Sequence, residues 1–181
     1  MSGERVSELM QALYRSDDAA RDALLAAGHR PDVLEAAALG DLGALRAHLS
    51  SDADAWRTRA ADGFTPLHYA AYFGGAAAVR LLLEAGAAPN GDADNELGVR
   101  PLHSAASVGD VDAARALLEA GADPDVAQRG GFTPLHAAAH SDNAELARVL
   151  LDHGADPDLA DDSGTTPRAM ARSQVAAVLA G

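Results

Sequence analysis

An all-α solenoid of helix pairs stacked side by side is the fold class predicted by this sequence. Three observations predict it. A Pro-Leu-His tetrad recurs as Thr65–His68, Arg100–His103 and Thr133–His136, and decays to Thr166-Pro167-Arg168. Its prolines stand at 66, 101, 134 and 167, at intervals of 35, 33 and 33. A second block, "VRLLLEAGAAPN", "ARALLEAGADPD" and "ARVLLDHGADPD", follows each full tetrad at a constant distance. Self-similarity at such a period marks a repeat architecture, in which no unit buries its apolar face alone.

At the front, Val6, Leu9, Met10 and Leu13 follow the i, i+3, i+4, i+7 spacing of an amphipathic helix. Ser16 is the expected N-cap of a second helix that carries Leu24 and Leu25 and ends at Gly28. Residues 1–30 are therefore expected to form an N-terminal helical cap. Residues 31–181 are expected to form the array, with repeats at about 31–61, 62–96, 97–130, 131–163 and 164–181. Each tetrad starts a helix. Thr is the N-cap, and Pro at the first helical position forfeits no hydrogen bond. Leu67, Ala70 and Ala71 then share one face, and the small alanines let a second helix approach. That second helix presents Val79, Leu82 and Leu83 and stops at Gly86, with Pro89 beyond it. Gly121 with Pro124, and Gly154 with Pro157, repeat the device. Gly-rich connections such as "DVAQRGGF" suit hairpin-like fingers between units.

Several departures stand out. Arg100 replaces the capping Thr, which removes a side-chain cap at a cost of about 1 kcal/mol. The link 87–99 is two residues longer than its counterparts, so its finger is expected to bulge. Asp142 stands where Gly74 and Gly109 stand in the other units, and incurs strain if that site needs positive φ. His48 occupies a position that Leu82, Leu117 and Leu150 fill elsewhere. The last helix is short, which leaves Val175, Val178 and Leu179 as candidates for partial exposure and for a weak homodimer contact.

This pattern resembles the ankyrin repeat family: a 33-residue unit with a Thr-Pro-Leu-His start, a Gly-Ala-Asp-Pro end and a short β-finger. The resemblance covers residues 31–181. It implies a non-catalytic module that binds a protein partner on its concave face, with no cofactor and no metal. It also implies structural roles for His68, His103 and His136. The family's contact positions fall at the finger tips and at the exposed end of each first helix. On this sequence they are Ala38 and Leu39; Asp62, Phe64, Tyr72 and Phe73; Glu96, Leu97, Val99, Ser107 and Val108; Arg129, Gly130, Phe132, His140 and Ser141; and Asp162, Ser163, Arg172 and Ser173. Tyr72 and Phe73 with Phe64, Leu97, Val99, Val108 and Phe132 make an apolar stripe. Asp62, Glu96, Arg129 and His140 make its polar rim. Phe64 and Phe132 also suit a bracing role in the fingers, Tyr69 suits either role, and Trp56 suits packing of the first finger.

Composition narrows the alternatives. The net charge of −13 repels a phosphate backbone, so nucleic acid and anionic membrane are poor partners, and a partner with a basic rim is favoured. There is no Cys for disulfide or thiolate chemistry, and every basic residue is Arg, which excludes Lys chemistry. The absence of Ile and Lys matches the codon bias of a GC-rich bacterial genome. The N-terminus has no apolar run of the signal-peptide kind, and a cytoplasmic location is expected. No phosphate loop, HExxH or Gly-x-Ser-x-Gly occurs. An alternative reading is a small-molecule-binding or catalytic groove around His140 and Tyr72, with His140 as general base and Arg129 and Asp62 nearby.

Overall fold

The computed structural model describes residues 6–180. Met1–Arg5 of the expected cap and Gly181 of the last repeat lie outside the described residues. Helix α1 (Glu8–Tyr14) is capped by Ser7, whose hydroxyl accepts the Met10 N–H at 3.1 Å. It seals Leu9 and Met10 against α3 (Val33–Leu39). Helix α2 (Asp18–Ala26) packs on α1 and buries none of its own residues. Its cap is Asp17, not Ser16 as expected. Ser16 sits at φ +53°, in the left-handed turn that closes α1, whereas a capping residue needs negative φ.

Beyond the cap the helices alternate between two rows. The first-helix row is α3, α5 (Pro66–Tyr69), α7 (Pro101–Val108), α9 (Pro134–Ser141) and α11 (Pro167–Met170). The second row is α4 (Leu42–Ser51), α6 (Gly75–Glu84), α8 (Val111–Glu119), α10 (Ala144–Asp152) and α12 (Ser173–Leu179). Each helix touches the next in its own row. The core between the rows repeats as well. Leu45, Leu67, Leu82, Leu102, Leu117, Leu135 and Leu150 are sealed, with Ala37, Ala71, Ala106 and Ala139 where helices approach closely. Each sealed leucine contributes about 1.5–3 kcal/mol.

Two sets of side chains fasten neighbouring units. On the finger side, His68 Nδ1 accepts the Thr65 N–H at 3.3 Å and the Thr65 hydroxyl at 2.8 Å, so its proton lies on Nε2, which donates to the Val99 carbonyl at 3.0 Å. His103 bonds Arg100 N–H and the Phe132 carbonyl, and His136 bonds Thr133 N–H and the Thr165 carbonyl, in the same way. The tetrad histidine is thus the cap of its own helix and the clasp on the next finger. Arg100 has no hydroxyl but keeps both backbone bonds of the motif: its N–H donates to His103 Nδ1 at 3.1 Å, and its carbonyl accepts the His103 N–H at 2.9 Å. On the opposite edge Asn90 accepts the Asp123 N–H and Asp125 accepts the Asp156 N–H, both at 2.8 Å. Asp158, the next member of that series, instead pairs with Arg168 at 2.7 Å.

The fingers close as tight turns with a single narrow backbone pair, Ala60–Phe64, Gln128–Phe132 and Asp161–Thr165, and no strand forms among the described residues. The second finger spans Ala93–Val99, which places the two extra residues at its tip. It bends onto the preceding finger, where Asp94 N–H donates to the Gly63 carbonyl and Asn95 Nδ2 to the Asp62 carbonyl. A Cβ on Gly63 would stand 2.5 Å from the Asp94 carbonyl oxygen, so that position admits only glycine.

The last unit is better closed than its length suggests. Val175 is sealed, not partly exposed, while Val178 and Leu179 are half-buried. Asp142 does adopt positive φ, +54°, as the glycine comparison anticipates. Its carboxylate accepts the N–H groups of Gln174 and Val175 at 2.9 and 3.0 Å and the Ser173 hydroxyl at 3.2 Å. A residue of the fourth unit therefore caps α12 of the last, and these bonds hold its carboxyl below the usual range.

Candidate interaction surface

The unit that carries Tyr72 and Phe73 breaks the pattern of the others. In the first, third and fourth units the residue that ends the first helix is left-handed (Gly40, Gly109, Asp142), and the next residue caps the second helix through its side chain (Asp41, Asp110, Asn143). Here the corresponding pair is Gly74-Gly75. With no capping side chain at 75, the left-handed turn moves there (φ +76°), while Gly74 keeps φ −87°. The expectation that Gly74 shares the conformation of Gly109 and Asp142 is therefore corrected. The shift adds one residue to the first helix, which is absorbed as a π-helical turn over Ala70–Gly74. Such turns re-aim the side chains they carry.

The result is a cluster of rings. Tyr72 is 44% exposed and stands edge-on to Phe73, with centroids 4.6 Å apart. Phe73 is half-buried beneath Tyr14 of the cap at 5.2 Å, and Phe64 lies 5.9 Å from Tyr69. These five aromatics, with Val99, His68, His103, Ser104, Ser107 and Gln128, line one mainly apolar groove of about 240 Å³. Of the three Tyr, three Phe and one Trp in the chain, only Trp56 and Phe132 stand elsewhere. Trp56 packs half-buried on the core beneath Arg57, whose guanidinium carbon lies 4.6 Å from its ring centre.

Five of the expected contact residues, Tyr72, Phe73, Phe64, Val99 and Ser107, thus share a groove. Asp62 lies just behind it. Its carboxylate accepts the Tyr69 hydroxyl at 2.8 Å and the Tyr14 hydroxyl at 3.4 Å. Burial, reinforced by these bonds to an anion, raises Tyr69 far above the ordinary phenol range, and burial also raises Tyr14, so both remain neutral donors. Tyr69 is sealed, with 3% of its surface exposed. The others stand apart from the groove. Leu97 and Val108 are exposed at a finger tip and at the end of α7. Arg129 pairs with Glu96 at 3.5 Å on the open surface. Phe132 stacks against His136 at 5.0 Å, the bracing arrangement. His140 is exposed in the last turn of α9 and does not line the groove that holds Tyr72. Ala38, a candidate from the first repeat, is covered by Met10 and Tyr69. His48 is half-buried and bonds the Pro31 carbonyl at 2.9 Å.

Tyr14 escaped the sequence reading because the cap has no repeat register to align it. The two walls of the groove come from elements 50 or more residues apart, and only the concentration of aromatics around 64–73 hinted at them.

Comparison with protein families decides the lineage. A family model described as "Ankyrin repeats (3 copies)" matches residues 33–128, and one described as "Ankyrin repeats (many copies)" matches residues 117–171. The chain belongs to the ankyrin repeat family. No curated protein matches it. Ankyrin repeats generally mediate protein–protein interaction and are typically non-catalytic. Among the described residues, no helix of this ankyrin array is long and apolar enough to cross a membrane, and no group of three His, Asp or Glu side chains is placed to hold a metal ion.

Proposed function

We propose that this ankyrin protein is a non-catalytic docking module that holds a protein partner against its first-helix and finger surface, the concave face in this family, with Tyr72 as the central anchor. One observation carries the reading: a large aromatic side chain, nearly half exposed, stands on a helical turn that departs from the repeat pattern and projects over an apolar groove. Exposed aromatics flanked by polar groups are the usual anchors of interfaces. Leu97 and Val108 extend the apolar surface, and Asp62, Glu96, Arg129 and His140 border it. The net charge of −13 favours a partner with a basic rim. The dispersal of His140, Arg129 and Asp62 away from a common cavity favours docking over catalysis.

Tyr72→Ala tests the reading. The side chain is exposed, so the variant keeps the parent's stability to within about 0.5 kcal/mol. A partner identified by affinity capture with the parent binds this variant at least tenfold more weakly in a purified two-component titration. Equal affinity for parent and variant would remove Tyr72 from the interface and the reading with it.

A further inference from the structure

The groove beneath Tyr72 has a chemistry more specific than apolar docking. Its walls are π faces and edges, and its neutral polar lining places no positive charge inside: burial drives His68 and His103 down to about 4, so both rings are uncharged near neutrality. The two arginines nearest His68 are occupied outside the groove. Arg59 donates to the Gly63 and Asp92 carbonyls, and Arg100 donates to the Asn90 carbonyl and faces the Asp92 carboxylate. Behind the rings lies the Asp62 carboxylate, reached by two phenol hydroxyls. A phenol that donates to an anion carries a more electron-rich ring, and an electron-rich face attracts cations. The tip of the next finger adds Asp94 and Glu96, both exposed.

We infer that this groove is a cation-recognition pocket: it takes the guanidinium or ammonium head of a basic side chain on the protein partner, held by the rings of Tyr14, Tyr72 and Phe73 and by the Asp62 charge behind them. The inference rests on the docking reading above and names the partner's anchor. Charge decides the occupant. An acidic molecule with a neutral-walled aromatic slot attracts a basic segment, and the desolvated head gains from the ring quadrupoles what it loses in hydration.

The test uses the whole protein and two small probes of equal shape, choline and its neutral isostere 3,3-dimethylbutan-1-ol. Titration followed by the ring proton resonances of Tyr72 and Phe73 shows millimolar choline binding and at least tenfold weaker binding of the neutral probe. Asp62→Asn, which keeps an acceptor for both hydroxyls, weakens choline several-fold and leaves the neutral probe unchanged. Tyr72→Leu, which keeps apolar bulk, removes the preference for the cation. Equal or tighter binding of the neutral isostere, or no binding of either probe, overturns the inference. Those results leave the docking reading in place, since that reading is decided by the Tyr72→Ala partner titration.

Discussion

At the scale of single residues, the tetrad histidines carry more of the architecture than their number suggests. Each accepts at Nδ1 and donates at Nε2, a pattern only the neutral ring can satisfy. Protonation would place a donor opposite a backbone N–H inside a sealed site. Burial accordingly depresses His68 and His103 from 6.5 to about 4. The sign follows from linkage. Between pH 6.5 and 4 the unfolded chain binds protons that the folded chain refuses, so this contribution is whole above pH 6.5, falls as pH is lowered, and levels off below about 4. By pH 5 the loss amounts to about 2 kcal/mol for each of the two rings. Urea unfolding at pH 7 and pH 5 checks this. A midpoint that does not fall at the lower pH would contradict the neutral-clasp assignment.

At the scale of elements, the π-turn is held by a close approach between neighbouring units. A Cβ on Gly74 would stand 2.0 Å from the Ala37 carbonyl oxygen, and one on Gly40 would stand 2.7 Å from the Gly74 carbonyl oxygen. Gly74→Ala is therefore expected to force α3 away from the turn and to cost about 1–3 kcal/mol, the range for overpacking, although residue 74 has an ordinary negative φ. Thermal unfolding measures the cost, and loss of Tyr72–Phe73 contacts in an NMR spectrum reports the displaced turn. Helix starts, helix ends and the sealed Leu and Ala positions were legible in the sequence, because capping and periodicity are local and recur with the repeat. The π-turn was not. It arises from the missing cap at Gly75, and its location follows only once the competing left-handed site is seen in space. The pairing of Tyr14 and Tyr69 with Asp62 was equally hidden, since it joins residues that no periodic pattern aligns.

At the scale of the whole molecule, the two ends of the row are finished by different means. The front is covered by a helix that inserts Leu9 and Met10. Ser7 of the same segment is tied to the sealed Glu35, whose carboxylate also takes His29 and the Asp32 N–H. Burial acts to raise Glu35, but the bonds from Ser7, His29 and Asp32 outweigh it and hold the carboxyl below its usual range. The back is fastened by Asp142, 31 to 33 residues from the groups it caps. Asp142→Gly is expected to relieve positive φ and yet to release α12. In hydrogen exchange the amides of Gln174 and Val175 lose protection, while those of α7 and α8 keep theirs. Unchanged protection in α12 would show that burial of Val175 suffices. Lowering the pH through the carboxylate range reproduces the release, because a depressed carboxyl contributes fully above its unfolded value near 4 and progressively less below it.

The paired fastenings have one more outcome. Between the middle units, imidazole clasps run along one margin, and along the other the Asn90 amide oxygen and the Asp125 carboxylate each accept a backbone N–H. A junction stitched on both sides cannot open like a book about either seam. The wall of the slot that these units build is accordingly set before anything fills it, so an incoming side chain meets a surface with little ordering left to oppose its entry.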